Sequence, residues 1–279
     1  MDQSIGEFLR SRRARIQPGD VGLPEYGRRR VPGLRREELA QLAGVSVDYY
    51  VRLEQGRSPS VSDAVLDAIA RALRLDGTES AHLRNLARPD RTTRTAQRPQ
   101  RVRPGLLRML EMMRDIPAFI LGRRMDVLAW NPLADAVTGF SGLDRPNAAR
   151  HAFLHPTGRA LYPEWEAVAA ETVAYLRLDA GRYPGDARMA DLVEELSAGS
   201  EAFRRLWAGQ DVVEKTYGRK LIGHPLVGEL EFGYETFAPP GDQDQLLVIY
   251  TVAAGSPTEE RLRLLAARQA SDAPVHVLT

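Results

Sequence analysis

Groups able to do covalent chemistry are few in this chain, and their spacing is poor. There is no cysteine, which excludes disulfides, zinc–thiolate sites, iron–sulfur clusters and thiol nucleophiles. His151 and His155 stand four apart, a separation that puts two imidazoles on one helical face and could hold a metal. Pro156 follows at once and no carboxylates cluster nearby; two histidines alone make a weak site, so neither a metal nor a cofactor is expected. A G-x-S-x-G elbow, a P-loop and a G-x-G-x-x-G turn are missing. Glu194 and Glu195 fall in a polar helical pattern and read as solvated. No catalytic residue is assigned. What remains is recognition chemistry, made of hydrogen bonds, charge and apolar surface.

That chemistry is divided unevenly. Residues 1–103 carry 20 Arg against 13 acids, whereas residues 104–279 carry 18 Lys and Arg against 24 acids. A basic front joined to an acidic back suits a nucleic-acid module fused to a module of another kind. Thirty-six of the 38 basic residues are Arg, a bias read here as genome composition. The N-terminus lacks an apolar segment with a cleavage site, and no run approaches the ~18 apolar residues of a membrane span. A soluble, cytoplasmic protein without membrane insertion is expected.

The elements that must position any recognition site come next. At 279 residues the chain suggests two domains. Apolar periodicity predicts helices over 4–15, 35–43, 46–55, 62–74 and 78–87. RPDRTTRTAQRPQRVRP, residues 88–104, is basic and aperiodic and reads as a linker. Beyond it, PAFILGRRMDVLAW (117–130) reads as two short strands around a Gly-Arg-Arg turn. Helices are predicted over 132–138, 145–153, 163–178, 186–197 and 199–208. Strands return over 212–224, at VGELEFGYETF, where Leu230, Phe232 and Tyr234 alternate with glutamates, and over 244–253. A last helix, 257–268, starts at Ser256 and Pro257. Grouped strands with segregated helices argue α+β.

LAGVSVDYYVRLEQGR, residues 42–57, has the parts of two helices crossing at a tight turn. Leu39, Leu42, Val45 and Leu53 supply a core, and Ala40 and Ala43 are small enough for a close crossing. Gly44 is free to take positive φ, Ser46 is a natural N-cap and Gly56 a stop. RREELAQLAGVSVDYYVRLEQGR resembles the helix-turn-helix of the Xre/Cro-type repressors, whose second helix enters the major groove. The resemblance implies an all-α, lambda-repressor-like DNA-binding domain over 1–87. Carried over residue by residue, it directs Ser46, Val47, Asp48 and Tyr49 toward DNA, with Arg52 one turn on. Arg52 is the candidate for a bidentate contact to guanine and Val47 for a thymine methyl. Asp48 suits cytosine N4 or, alternatively, the helix N-terminus itself. Arg36 and Arg57 would face phosphate. Glu54 matches a position that pairs with an Arg of the first helix, here Arg10 or Arg13. Tyr50 departs from the pattern, standing where an aliphatic residue is usual. So does the long connection 16–34. Its Arg28, Arg29 and Arg30 read as an arm touching backbone or minor groove, against the alternative of a solvated basic loop.

The order helix-turn-helix, basic linker, IPAFILGRRMDVLAWNPLADAV, RALYPEWE, GSEAFRRLW, HPLVGELEFGYETFAPPGDQDQLLVIYT resembles the MmyB-like transcription regulators. In those a PAS-like domain follows an Xre-type helix-turn-helix. The resemblance implies a multidomain protein whose residues 105–279 form an α+β PAS-like domain, with a five-stranded antiparallel sheet and a helical cover over an apolar pocket. It also implies a fatty-acid-like or other lipophilic ligand. Phe119, Leu121, Leu128, Trp130, Phe153, Trp165, Phe203, Trp207, Phe232 and Tyr234 could line that pocket or be plain core. Asn131 is either a helix N-cap or a polar group of the pocket. Arg204, Arg205 and His155 could hold a carboxylate or lie at the surface. The expected function is a non-enzymatic, ligand-responsive regulator that binds operator DNA as a homodimer, its two recognition helices about 34 Å apart or a multiple of that. Two rivals keep the DNA-binding half. One makes the second half a dimerisation or protein-docking module, the other an enzyme on a lipid-like substrate.

Overall fold

The computed structural model describes residues 4–24, 31–57, 60–88, 100–242, 244–268 and 275–277. Arg28, Arg29 and Arg30, and residues 89–99 of the expected linker, lie outside the described residues. The chain divides into two compact units. The first comprises 1–97, 174–190 and 205–214, and the second comprises 98–173, 191–204 and 215–279. The first unit thus takes in two segments that a single cut at 88–104 leaves with the second.

Five helices open the first unit: α1 (Ile5–Arg15), α2 (Arg36–Ala43), α3 (Val47–Glu54), α4 (Asp63–Ala72) and α5 (Gly77–Ala87). Their starts are written locally. Ser4, Ser46, Ser62 and Asp76 each accept a hydrogen bond from the backbone amide three residues on, a cap worth about 1 kcal/mol. Gly44, at φ 66°, turns the chain between α2 and α3. The core gathers Phe8, Leu9, Leu34, Leu39, Tyr50, Leu53, Leu66, Ile69 and Leu83. Leu42, expected in it, is 36% exposed, because the buried stripe of α2 runs through Leu39, Ala40 and Ala43 instead. Helix α1 lies close on α3: Gly6 abuts the Glu54 backbone carbonyl.

The second unit is built on one antiparallel sheet of β1 (Ala118–Leu121), β2 (Val127–Trp130), β3 (Tyr217–His224), β4 (Gly228–Phe237), β5 (Leu246–Thr251) and β6 (His276–Val277). The order is β3-β4-β5-β1-β2-β6. Five strands were expected and six are present among the described residues. The added β6 pairs with β2 through only two residues, too short for a period-two signal. One face of the sheet meets α6 (Pro104–Met112) through Leu106 and Leu110. This helix was not anticipated, since the linker reading ran up to its first residue. The other face carries Phe119, Trp130, Ile222, Leu230, Phe232, Tyr234, Val248 and Tyr250. The remaining helices are α7 (Pro132–Thr138), α8 (Ala148–Leu154), α9 (Gly158–Leu161), α10 (Trp165–Arg182), α11 (Ala187–Gly199), α12 (Glu201–Ala208) and α13 (Pro257–Arg268). The division between the units falls within α10, α11 and α12. No helix among the described residues is long and apolar enough to cross a membrane.

Candidate functional site

Helix α3 presents an exposed face. Ser46, whose hydroxyl accepts from Tyr49 N at 3.2 Å, fixes its start. Ser46, Val47, Asp48, Arg52 and Arg57 are exposed and Tyr49 is half-buried, while Tyr50 and Leu53 on the same helix are fully sunk in the core. The Arg52 guanidinium makes no hydrogen bond or ion pair among the described residues. Arg13 and Arg36, by contrast, are engaged. Glu54, its side chain 1% exposed, receives Arg13 at 3.3 Å and Arg36 at 2.7 Å. Arg13 also donates to the Leu34 carbonyl at 2.5 Å. Of the two partners expected for Glu54, Arg13 is the one, because Arg10 turns back to the Gly6 carbonyl within α1. Arg36, read from the sequence as facing phosphate, is tied to Glu54 but remains 44% exposed. Burial, then the Glu54 charge, raises the Tyr50 phenol well above its ordinary value.

The expected ligand residues of the second half do not form one set. Phe119, Trp130 and Tyr234 share the inner sheet face, with Phe153 and Trp165 packed against it. Phe203 meets Phe153 edge-on at 5.3 Å. Leu128 lies on the opposite face with Leu106 and Leu110. The cause is a bulge: Leu121 pairs with Val127 while Ile120 pairs with Ala129, which leaves Leu128 as the extra residue, and an extra residue breaks strict alternation. Trp207 belongs to the first unit, where Arg177 stacks over its ring at 4.0 Å. Asn131 is the N-cap of α7. Its Oδ1 accepts from Ala134 N and Ala118 N, and its Nδ2 donates to the Met113 and Ile116 carbonyls. The amide is saturated, which leaves nothing to offer a ligand.

The inner face holds a polar cluster that the sequence reading passed over. Glu171 of α10 takes Lys220 at 3.0 Å, Lys215 at 3.6 Å and the Tyr234 hydroxyl at 2.5 Å. The lysine side chains are 8% and 10% exposed and that of Glu171 is 26% exposed. Burial works against the Glu171 charge, but the two ammoniums and the phenol outweigh it and hold the carboxyl at about 2. Burial brings Lys215 down to about 8, with Lys220 pushing the same way and Glu171 opposing. Lys215 and Lys220 are the only lysines in the chain. A compact ammonium can lose its proton and a guanidinium cannot, so this pair is not interchangeable with the arginines used everywhere else. That rarity was the signal available in the sequence. Phe232 also lines an open pocket of about 390 Å³ between β3, β4 and the start of α13, whose charged wall includes Arg219, Glu231 and Arg261.

Two family models match the chain. The helix-turn-helix domain matches residues 4–83, and the MmyB-like transcription regulator ligand binding domain matches residues 102–265, more than half of the length. None of the curated proteins compared with the chain matches it. A helix-turn-helix unit with an exposed second helix, joined to an α+β ligand-binding domain, defines a ligand-sensing transcriptional regulator. The chain belongs to the MmyB-like transcription regulators.

Proposed function

We propose that the chain reads operator DNA sequence-specifically as a homodimer, through Ser46, Val47, Asp48, Tyr49 and Arg52, with Arg36 and Arg57 on phosphate. The observation that carries this is the contrast on α3. Arg13 is buried against Glu54 and Arg36 leans on it while staying 44% exposed, whereas Arg52, exposed on the same helix as Glu54, makes no hydrogen bond or ion pair among the described residues. A bidentate arginine–guanine pair contributes about 1–3 kcal/mol of discrimination. Arg52→Ala is therefore expected to erase the preference for sites selected from random DNA while leaving weak, salt-sensitive binding. Equal loss on all sequences, read by titration of labelled duplexes, would put Arg52 on phosphate instead.

The second half, in this reading, takes a small lipophilic, fatty-acid-like ligand and has no catalytic role. Support comes from an aromatic inner face that ends at two buried ammoniums against one carboxylate, a surplus of positive charge suited to an acidic head group. Hydrogen bonds to charged groups contribute about 1.5–3 kcal/mol, or about tenfold or more in affinity. A long-chain acid is thus expected to bind at least tenfold tighter than the alcohol of equal length, and Lys215→Met to cancel the difference. Calorimetry with both compounds decides. Equal binding removes the head-group assignment, no binding of either favours a docking module, and chemical conversion of the acid favours an enzyme.

A further inference from the structure

Residues 205–214 lie in the stretch matched by the ligand-binding family, yet they pack as part of the first unit. They end in a turn in which Gln210 adopts φ 61°, a left-handed conformation that a non-glycine residue keeps only when its surroundings over-determine it. The surroundings here are the side chains of α1. The Gly209 carbonyl accepts from Ser11 Oγ at 3.1 Å and from Arg15 Nη2 at 2.9 Å. The Gln210 carbonyl accepts from Arg12 Nη2 at 2.8 Å. Asp211 adds a carboxylate 2.6 Å from Arg15 and 3.7 Å from Arg12. The turn is anchored in its own right, because Gln210 Oε1 accepts from the buried Arg177 at 2.8 Å.

Helix α1 is also what holds the recognition helix. Arg13, next in sequence to the clasped Arg12, carries the ion pair to Glu54, and Gly6 touches the Glu54 backbone. A rigid helix cannot slide or roll on one of these contacts without disturbing the other. We propose that Gly209–Asp211 is a positioning element for DNA recognition: it sets α1, and α1 sets α3. Operator affinity then depends on three residues that belong to the ligand-binding half of the sequence and make no hydrogen bond or ion pair to α3 among the described residues. This gives that half a defined handle on the DNA-reading surface.

The inference rests on α3 being the DNA-reading helix, and wild-type protein that shows no sequence preference would remove that reading before any variant is made. The test uses the full chain and a duplex selected from random DNA. Asp211→Ala and Gln210→Gly are expected to weaken specific binding 3- to 10-fold, to leave non-specific binding nearly unchanged, and to speed amide exchange in α3. The sign matters for Asp211→Ala. Deleting an acid from a protein that binds a polyanion strengthens binding if only bulk charge counts, so a weaker complex points to positioning. Arg15→Asp should show the same loss, and Arg15→Asp with Asp211→Arg, which restores the ion pair at wild-type net charge, should recover it. Arg15 and Asp211 are 46% and 60% exposed, so these variants keep the core intact. Unchanged operator affinity and α3 exchange in the single variants, or a loss that the exchanged pair does not recover, overturns the proposal.

Discussion

Gly6→Ala is expected to destabilise the first unit by about 3 kcal/mol, the upper end of the cost of overpacking. A methyl on Gly6 would overlap the Glu54 carbonyl oxygen and sit 3.1 Å from its carbon. Both parties are backbone, so no rotamer change relieves the overlap; α1 and α3 must separate. The expected sign runs against intrinsic preference, since Ala favours a helix over Gly by about 1 kcal/mol. Gly77→Ala is the control. It lies at the first turn of α5, where an added methyl meets nothing within 4 Å, and is expected to be neutral or mildly stabilising. Urea unfolding of both variants decides. Equal effects would mean that the approach of α1 to α3 is looser than its geometry.

Glu54→Ala is expected to cost about 3–5 kcal/mol, the range for removing one partner of a buried ion pair. The loss comes from Arg13, left 10% exposed without its ion-pair partner. Arg36 contributes little, because at 44% exposure it recovers water. Removing both charges together, as Glu54→Leu with Arg13→Met, should recover most of the stability. The same denaturant titration tests this, and a double variant no better than Glu54→Ala would show that Glu54 acts through something other than the charge of Arg13.

Both predictions concern contacts of which the sequence revealed one half. The helix-turn-helix was legible because its signals are local. Ser46 caps α3, Gly44 reverses the chain, and Leu39, Ala40 and Ala43 recur at helical spacing. Glu54 was legible as a structural acid, and Arg13 as one of its two candidate partners. That Gly6 must be glycine was not, since the atom it avoids lies 48 residues away. In the second half, β4 declared itself by alternation, whereas the bulge that turns Leu128 to the other face leaves no trace in a pattern of apolar residues.

By itself, then, the sequence determined most of the elements, the helix-turn-helix and the family, because caps, turns and periodicity are decided within a few residues. Only the tertiary structure decided three further things. It joined the two lysines to a carboxylate on α10, assigned Trp207 to the first unit, and set the 209–211 turn against α1. The reason is common to all three. A buried charge or a bare carbonyl must find its partner wherever the chain brings one, and partners as far apart as Arg12 and Gln210 are chosen by the fold.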